Sequence, residues 1–153
     1  MKLIEERKNL LHQFIIKHYT FEDGIKTRRA DERSNYKNIA YLDILPKNHQ
    51  KKILLADYKK YYNKASGVLV DKDKTTVDMN YNLNFVIKLY ENGFKEMADN
   101  LLTNLETLVE KNNSYIIPKI YLNKSNSAGI YGEPLYLYLT AVQYRENNNE
   151  HTK

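Results

Sequence analysis

The chain has 153 residues, with hydrophobic residues at 42%, charged residues at 28% and a net charge of +5. That is the size of one domain with a substantial core. The absence of cysteine excludes disulfides, thiolate metal sites and a cysteine nucleophile. No apolar run reaches the roughly 18 residues of a membrane helix, and the opening MKLIEERKNLLHQ carries charges where a secretion signal is apolar. The expectation is a cytoplasmic protein with no membrane association.

Residues 2–19 read as a helix, with Leu3, Leu10, Leu11, Phe14, Ile15 and His18 on one side. Asp23-Gly24 stops it. A second helix spans Ser34 to Leu45, closed by Pro46. A third runs from an Asn48 cap to Tyr62, buries Ile53, Leu54, Tyr58 and Tyr61, and is ended by Ser66-Gly67. Val68–Val70 is β-branched and extended. Thr76 or Asp78 opens a fourth helix that ends at Asn92-Gly93. The fifth, Phe94 to Lys111, has the cleanest stripe: Met97, Leu101, Leu102, Leu105, Leu108 and Val109. Tyr115–Ile117 is again extended. Pro134 suits the first turn of a last helix, Leu135 to Glu146. The fold class is therefore all-α, about six helices with no real sheet. Residues 1–146 form one domain and 147–153 a polar, disordered tail. The recurrence of helix stop, short apolar piece, loop and helix, at a period of about 45 residues, suits either stacked helical hairpins or a plain bundle.

Charge and aromatics point to a surface. Residues 1–76 hold 17 Lys and Arg against 10 Asp and Glu, whereas 77–153 hold 7 against 9. Arg28, Arg29 and Arg33 form the densest cationic cluster, although Asp31 and Glu32 lie inside it. The chain has 14 tyrosines, and Tyr36, Tyr81, Tyr131 and Tyr136 sit at or near polar loops. Rings there can stack on a sugar or anchor a protein contact. His12 and His18 stand six apart on one helix, the wrong step for shared ligation, so neither metal nor cofactor is expected. Glu32, Asp78 and Glu133 each head a predicted helix, where a carboxylate also serves as a cap.

Asp31-Glu32-Arg33-Ser34-Asn35-Tyr36, leading into the second helix, resembles the acidic loop of the (α/α)-barrel glycoside hydrolases of the cellulase and chitosanase kind. Glu32 and Tyr36 keep that family's four-residue spacing, and Thr76-Val77-Asp78-Met79-Asn80 resembles its second acidic loop. Gly132-Glu133-Pro134-Leu135 is similar to a loop heading a late helix. Arg33 and Asn80 depart from the pattern, and the chain supplies about three hairpins where a complete barrel uses six. The resemblance implies a half-barrel, with Glu32 as general acid and Asp78 as base or sugar-orienting residue. Glu133 would be a third acid at the same mouth.

Two functions follow. The first is a small non-catalytic interaction protein, of the phage, plasmid or immunity type, that docks a protein partner through a basic, tyrosine-rich surface around residues 26–64. Arg28, Arg29, Arg33 and Tyr36, together with Tyr81, Tyr131 and Tyr136, are its contact residues. The alternative is a carbohydrate-active hairpin protein using the paired carboxylates. Nucleic acid ranks below a protein partner because acids interrupt the basic runs. A homodimer would complete a half-barrel core.

Overall fold

The structure, a computed structural model, describes residues 1–21, 24–25, 39, 42–112, 115–127, 129 and 131–150. The fold is all-α. Among the described residues there are five α-helices, a 3-10 turn and three antiparallel pairs of very short strands. The chain divides into two compact units, Met1–Lys59 and Lys60–Lys153.

In the first unit, α1 (Lys2–Tyr19) leads into the strands β1 (Thr20–Phe21) and β2 (Gly24–Ile25), with Thr20 opposite Ile25 and Phe21 opposite Gly24. The spacing of α1 predicts a buried stripe, yet Leu3, Leu10, Leu11 and Phe14 are all exposed. An amphipathic helix buries its stripe only where another element covers it. Most of the expected second helix lies outside the described residues. Its last part is a 3-10 turn, Leu42–Ile44, with Leu42 and Leu45 buried. Helix α2 (Lys47–Tyr61) starts directly after Pro46, whose carbonyl accepts the amides of His49 and Gln50. Asn48 therefore lies inside the first turn rather than at the cap. The buried Gln50 amide donates to Leu45 O at 2.7 Å, fixing the turn onto the helix. Ile53, Leu54 and Tyr61 are buried as their spacing requires, whereas Tyr58 is half-buried.

The second unit is built around α3 (Met79–Glu91). Tyr81, Leu83, Phe85, Val86, Ile87, Leu89 and Tyr90 are all buried, a helix apolar on nearly every side, as a central helix must be. Helix α4 (Lys95–Lys111) packs on it through Ala98, Leu101, Leu102 and Leu105, and α5 (Gly132–Glu150) packs on it around Ala141. Leu108 and Val109, expected in the core, are only half-buried, because the last turn of α4 runs past the end of α3's cover. The rings of Tyr90 and Tyr144 stack at 6.1 Å and 9°, and Tyr144 Oη donates to Glu91. Helix α5 continues through Asn147–Glu150, beyond the Glu146 end that composition suggested. Within that last turn Asn148 O accepts Lys95 Nζ and Asn148 Nδ2 donates to Tyr144 O.

The short strands refine the sequence expectations. Helix α2 stops at Tyr61, and Ser66-Gly67 belongs instead to the turn of a hairpin between β3 (Tyr62–Asn63) and β4 (Val68–Leu69). Of the two starts expected for the fourth helix, Thr76 and Asp78, it is Asp78 that caps α3, and Thr76–Asp78 form a strand, β5. Its partner is β6 (Lys119–Tyr121), which starts two residues past the Tyr115–Ile117 segment that β-propensity favours, with Thr76 opposite Tyr121 and Asp78 opposite Lys119. Fully buried Asn82 ties hairpin to helix: its Oδ1 accepts Leu69 N, and its Nδ2 donates to Leu69 O and Asp78 O.

Candidate functional site

Of the residues singled out in the sequence, Arg28, Arg29, Glu32, Arg33 and Tyr36 lie outside the described residues. Asp78 is buried, and its Oδ1 accepts the Tyr81 amide at 2.7 Å, the bond of a helix N-cap. Glu133 is exposed in the first turn of α5. Tyr81 does not present an open ring. It is buried beside Phe85, with centroids 5.8 Å apart, because its position on α3 faces the core. Tyr131 and Tyr136 are exposed, Tyr136 at 69%, alongside exposed Leu135 and Leu139 on the outer face of α5. Among the described residues no cluster of three or more His, Asp or Glu could hold a metal ion, and no helix is long and apolar enough to cross a membrane.

The concavity with the most distinctive chemistry lies elsewhere, in the second unit. It is a groove of about 580 Å³ between the β3–β4 turn, the outer face of α4 and the loop after β6. Helical geometry sets one wall, since Asn104, Thr107, Leu108 and Lys111 recur at three- and four-residue steps and so share a face of α4. The turn supplies Lys64, Ala65, Ser66 and Gly67. The loop supplies Tyr121, Leu122 and Lys124, and Tyr62 completes the lining.

Asparagines hold these pieces in place. Asn63 Oδ1 accepts the amides of Ala65 and Ser66, shaping the turn as an Asx side chain does. Gly67 has φ +70°, and a Cβ there would sit 2.5 Å from Asn104 Nδ2. Glycine thus permits both the left-handed backbone and the close approach that lets Asn104 donate to Gly67 O at 3.0 Å. On the far side, Asn126 Oδ1 accepts Tyr121 N while its Nδ2 donates to Tyr121 O and, at 2.7 Å, to Asn112 Oδ1. Asn112 in turn donates to Leu108 O, so the loop is fastened to the end of α4.

Three lysines from three separate elements, Lys64, Lys111 and Lys124, line this groove, and no Asp or Glu does. Among the described residues no salt bridge engages any of the three. Lys124 Nζ lies 4.0 Å from the Tyr121 ring centroid, using the ring's negative face. Ser66 Oγ is buried with no hydrogen-bond partner among the described residues. The lysines lie 47 and 13 positions apart, so no local run announces them. The one legible signal was the helical step from Asn104 to Lys111.

A second concavity, of about 390 Å³, is apolar, with Met79, Leu83, Leu105, Val109 and Ile116 beside Glu106 and Tyr138. Glu106 is already engaged. Arg145 grips it through Nη1 at 3.0 Å and Nη2 at 2.8 Å, and Tyr138 Oη donates to it at 3.0 Å. The Arg145 hydrogen bonds hold the Glu106 carboxyl below its ordinary range against the opposing effect of partial burial.

Fold and groove together define a small all-α protein with a lysine-lined, carboxylate-free concavity. No protein-family model, curated protein or solved structure matches the chain.

Proposed function

We propose that this chain is a non-catalytic interaction protein that holds an acidic segment of a protein partner in the lysine-lined groove. The observation that carries the reading is the lining itself: Lys64, Lys111 and Lys124 beside Tyr62 and Tyr121, with no Asp or Glu. Compact ammonium charges speed the encounter with an anionic partner and penalise cationic ones. Tyrosine adds contact area at small entropic cost. A protein segment is favoured over nucleic acid because the second unit is electrically balanced. Residues 60–153 hold 11 Lys and Arg against 11 Asp and Glu, so the positive potential is local rather than a track for a phosphate backbone.

The test is a titration of the isotopically labelled chain with a hexaglutamate peptide at low salt, followed by NMR. Amide shifts should cluster at residues 64–67, 107–112 and 121–124 and fade as salt screens the charges. Lys64→Glu, Lys111→Glu and Lys124→Glu combined should abolish them. Shifts that centre elsewhere and survive the triple reversal would overturn the reading.

A further inference from the structure

The cations in this groove are of one kind. Its three cations are lysines. No arginine lines it, so the planar fork that grips a carboxylate or a phosphate in two parallel bonds is missing from the wall. Arg145, the arginine of the second unit, is committed to Glu106. Lysine acts as a point charge with three freely rotating donors, the form suited to a tetrahedral oxyanion approached from several sides. Ser66, which lines the groove, adds a buried hydroxyl with no hydrogen-bond partner among the described residues.

We infer that the groove is a site for a phosphomonoester, with Lys64, Lys111 and Lys124 surrounding the phosphoryl oxygens and Ser66 donating a further hydrogen bond. This rests on the reading of the chain as a binder of anionic partners and specifies the anion. A phosphomonoester carries a charge of about −1.5 to −2 at neutral pH and three acceptor oxygens, against one charge and two oxygens for a carboxylate. Three ammonium groups without a neighbouring carboxylate match the first better than the second. The volume of about 580 Å³ exceeds a phosphoryl group and leaves room for the molecule that bears it.

The inference has a pH signature of its own. The second ionisation of a phosphomonoester falls near pH 6. The groove is lined by lysines and tyrosines as its titratable residues, with no His, Asp or Glu. Between pH 5 and 7.5 the ligand's charge changes.

The experiment is calorimetric titration of the full chain with a phosphoserine hexapeptide and with the same peptide carrying glutamate in place of the phosphoserine. Free O-phosphoserine and oligothymidylate complete the set. The phosphopeptide should bind at least about tenfold more tightly than the glutamate peptide at pH 7.5 and lose most of that advantage at pH 5. Lys111→Ala and Lys124→Ala should each weaken it about three- to tenfold, Lys111→Arg much less, and Ser66→Ala by a smaller factor, with helix content by circular dichroism unchanged. Free O-phosphoserine binding as tightly as the peptide would support the site and assign it to small phosphate esters. A tighter peptide would support it and assign it to a modified protein. Equal binding of phosphoserine and glutamate peptides, without pH dependence, would overturn the phosphomonoester while leaving the anion-binding reading intact. Oligothymidylate binding best would overturn it in favour of a diester, and binding by none of the probes would overturn both.

Discussion

Asparagine does at single positions what the hydrophobic pattern cannot. Asn82 is fully buried with both ends of its amide used, bridging the backbone of β4 and the carbonyl that precedes α3. Asn82→Ala leaves the Leu69 N–H and C=O without those partners in the interior. The expected loss is about 2–4 kcal/mol in urea denaturation, since each orphaned buried group costs about 1–3. A loss below about 1 kcal/mol would mean that the hairpin finds other partners. Gly67 is the matching case on the groove wall. Gly67→Ala combines a left-handed backbone with a Cβ pressed onto Asn104, and about 1–2 kcal/mol of destabilisation is expected for the backbone alone. The sequence gives no sign of these roles: Asn82 reads as one polar position of a helix and Gly67 as a helix stop. Burial turns an ordinary polar side chain into a structural bridge, and burial of that kind is a property of the assembled chain.

At the scale of elements, periodicity found the helices and missed what covers them. The expected starts and stops of α3 and α4 hold to within a residue or two, because Asp78 caps, Asn92-Gly93 terminates with Gly93 at φ +81°, and the leucine stripe of α4 has one consistent face. The same logic fails for α1, whose equally regular stripe is exposed, since spacing encodes amphipathicity and not the presence of a neighbour. It also fails at the strands. Pairs of two or three residues draw their stability from register with a partner, and the register of β5 with β6 spans some forty residues of chain. The stripe of α4 gives a graded prediction. Leu105→Ala, at a buried position, should cost about 2–5 kcal/mol, and Leu108→Ala, at a half-buried one, about half that or less. Equal costs would show that the end of α4 is as tightly covered as its middle. Removing the cap by Asp78→Ala should cost about 0.5–2 kcal/mol.

For the molecule as a whole, charge is divided unevenly between the two units. The first unit carries 13 Lys and Arg against 8 Asp and Glu, and the second is balanced, yet it keeps its groove lysines out of salt bridges among the described residues while pairing Arg145 with Glu106 across α4 and α5. That pairing is one of two features that tie the fold's stability to acid pH. The Glu106 carboxyl is held low first by the hydrogen bonds from Arg145, and Asp73, in the turn before β5, is lowered to about 2 first by the Thr76 hydroxyl and then by the amides of Thr75 and Thr76. Both groups bind a proton less readily folded than unfolded. The stability they contribute is therefore complete above the ordinary carboxylate range near pH 4 and is lost as pH falls through their depressed folded values. Thermal unfolding followed by circular dichroism should show a midpoint steady from pH 7 to about 5 and falling below about pH 4. Glu106→Gln removes one of the two contributions and strands Arg145. The variant should be less stable than the parent at pH 7 by roughly 1 kcal/mol, a modest figure because the pair is part-exposed, and the gap should narrow as the parent's own Glu106 takes up its proton. A gap that stays constant down to pH 2 would mean that Glu106 supports the fold through its shape and packing, and that its charge contributes nothing.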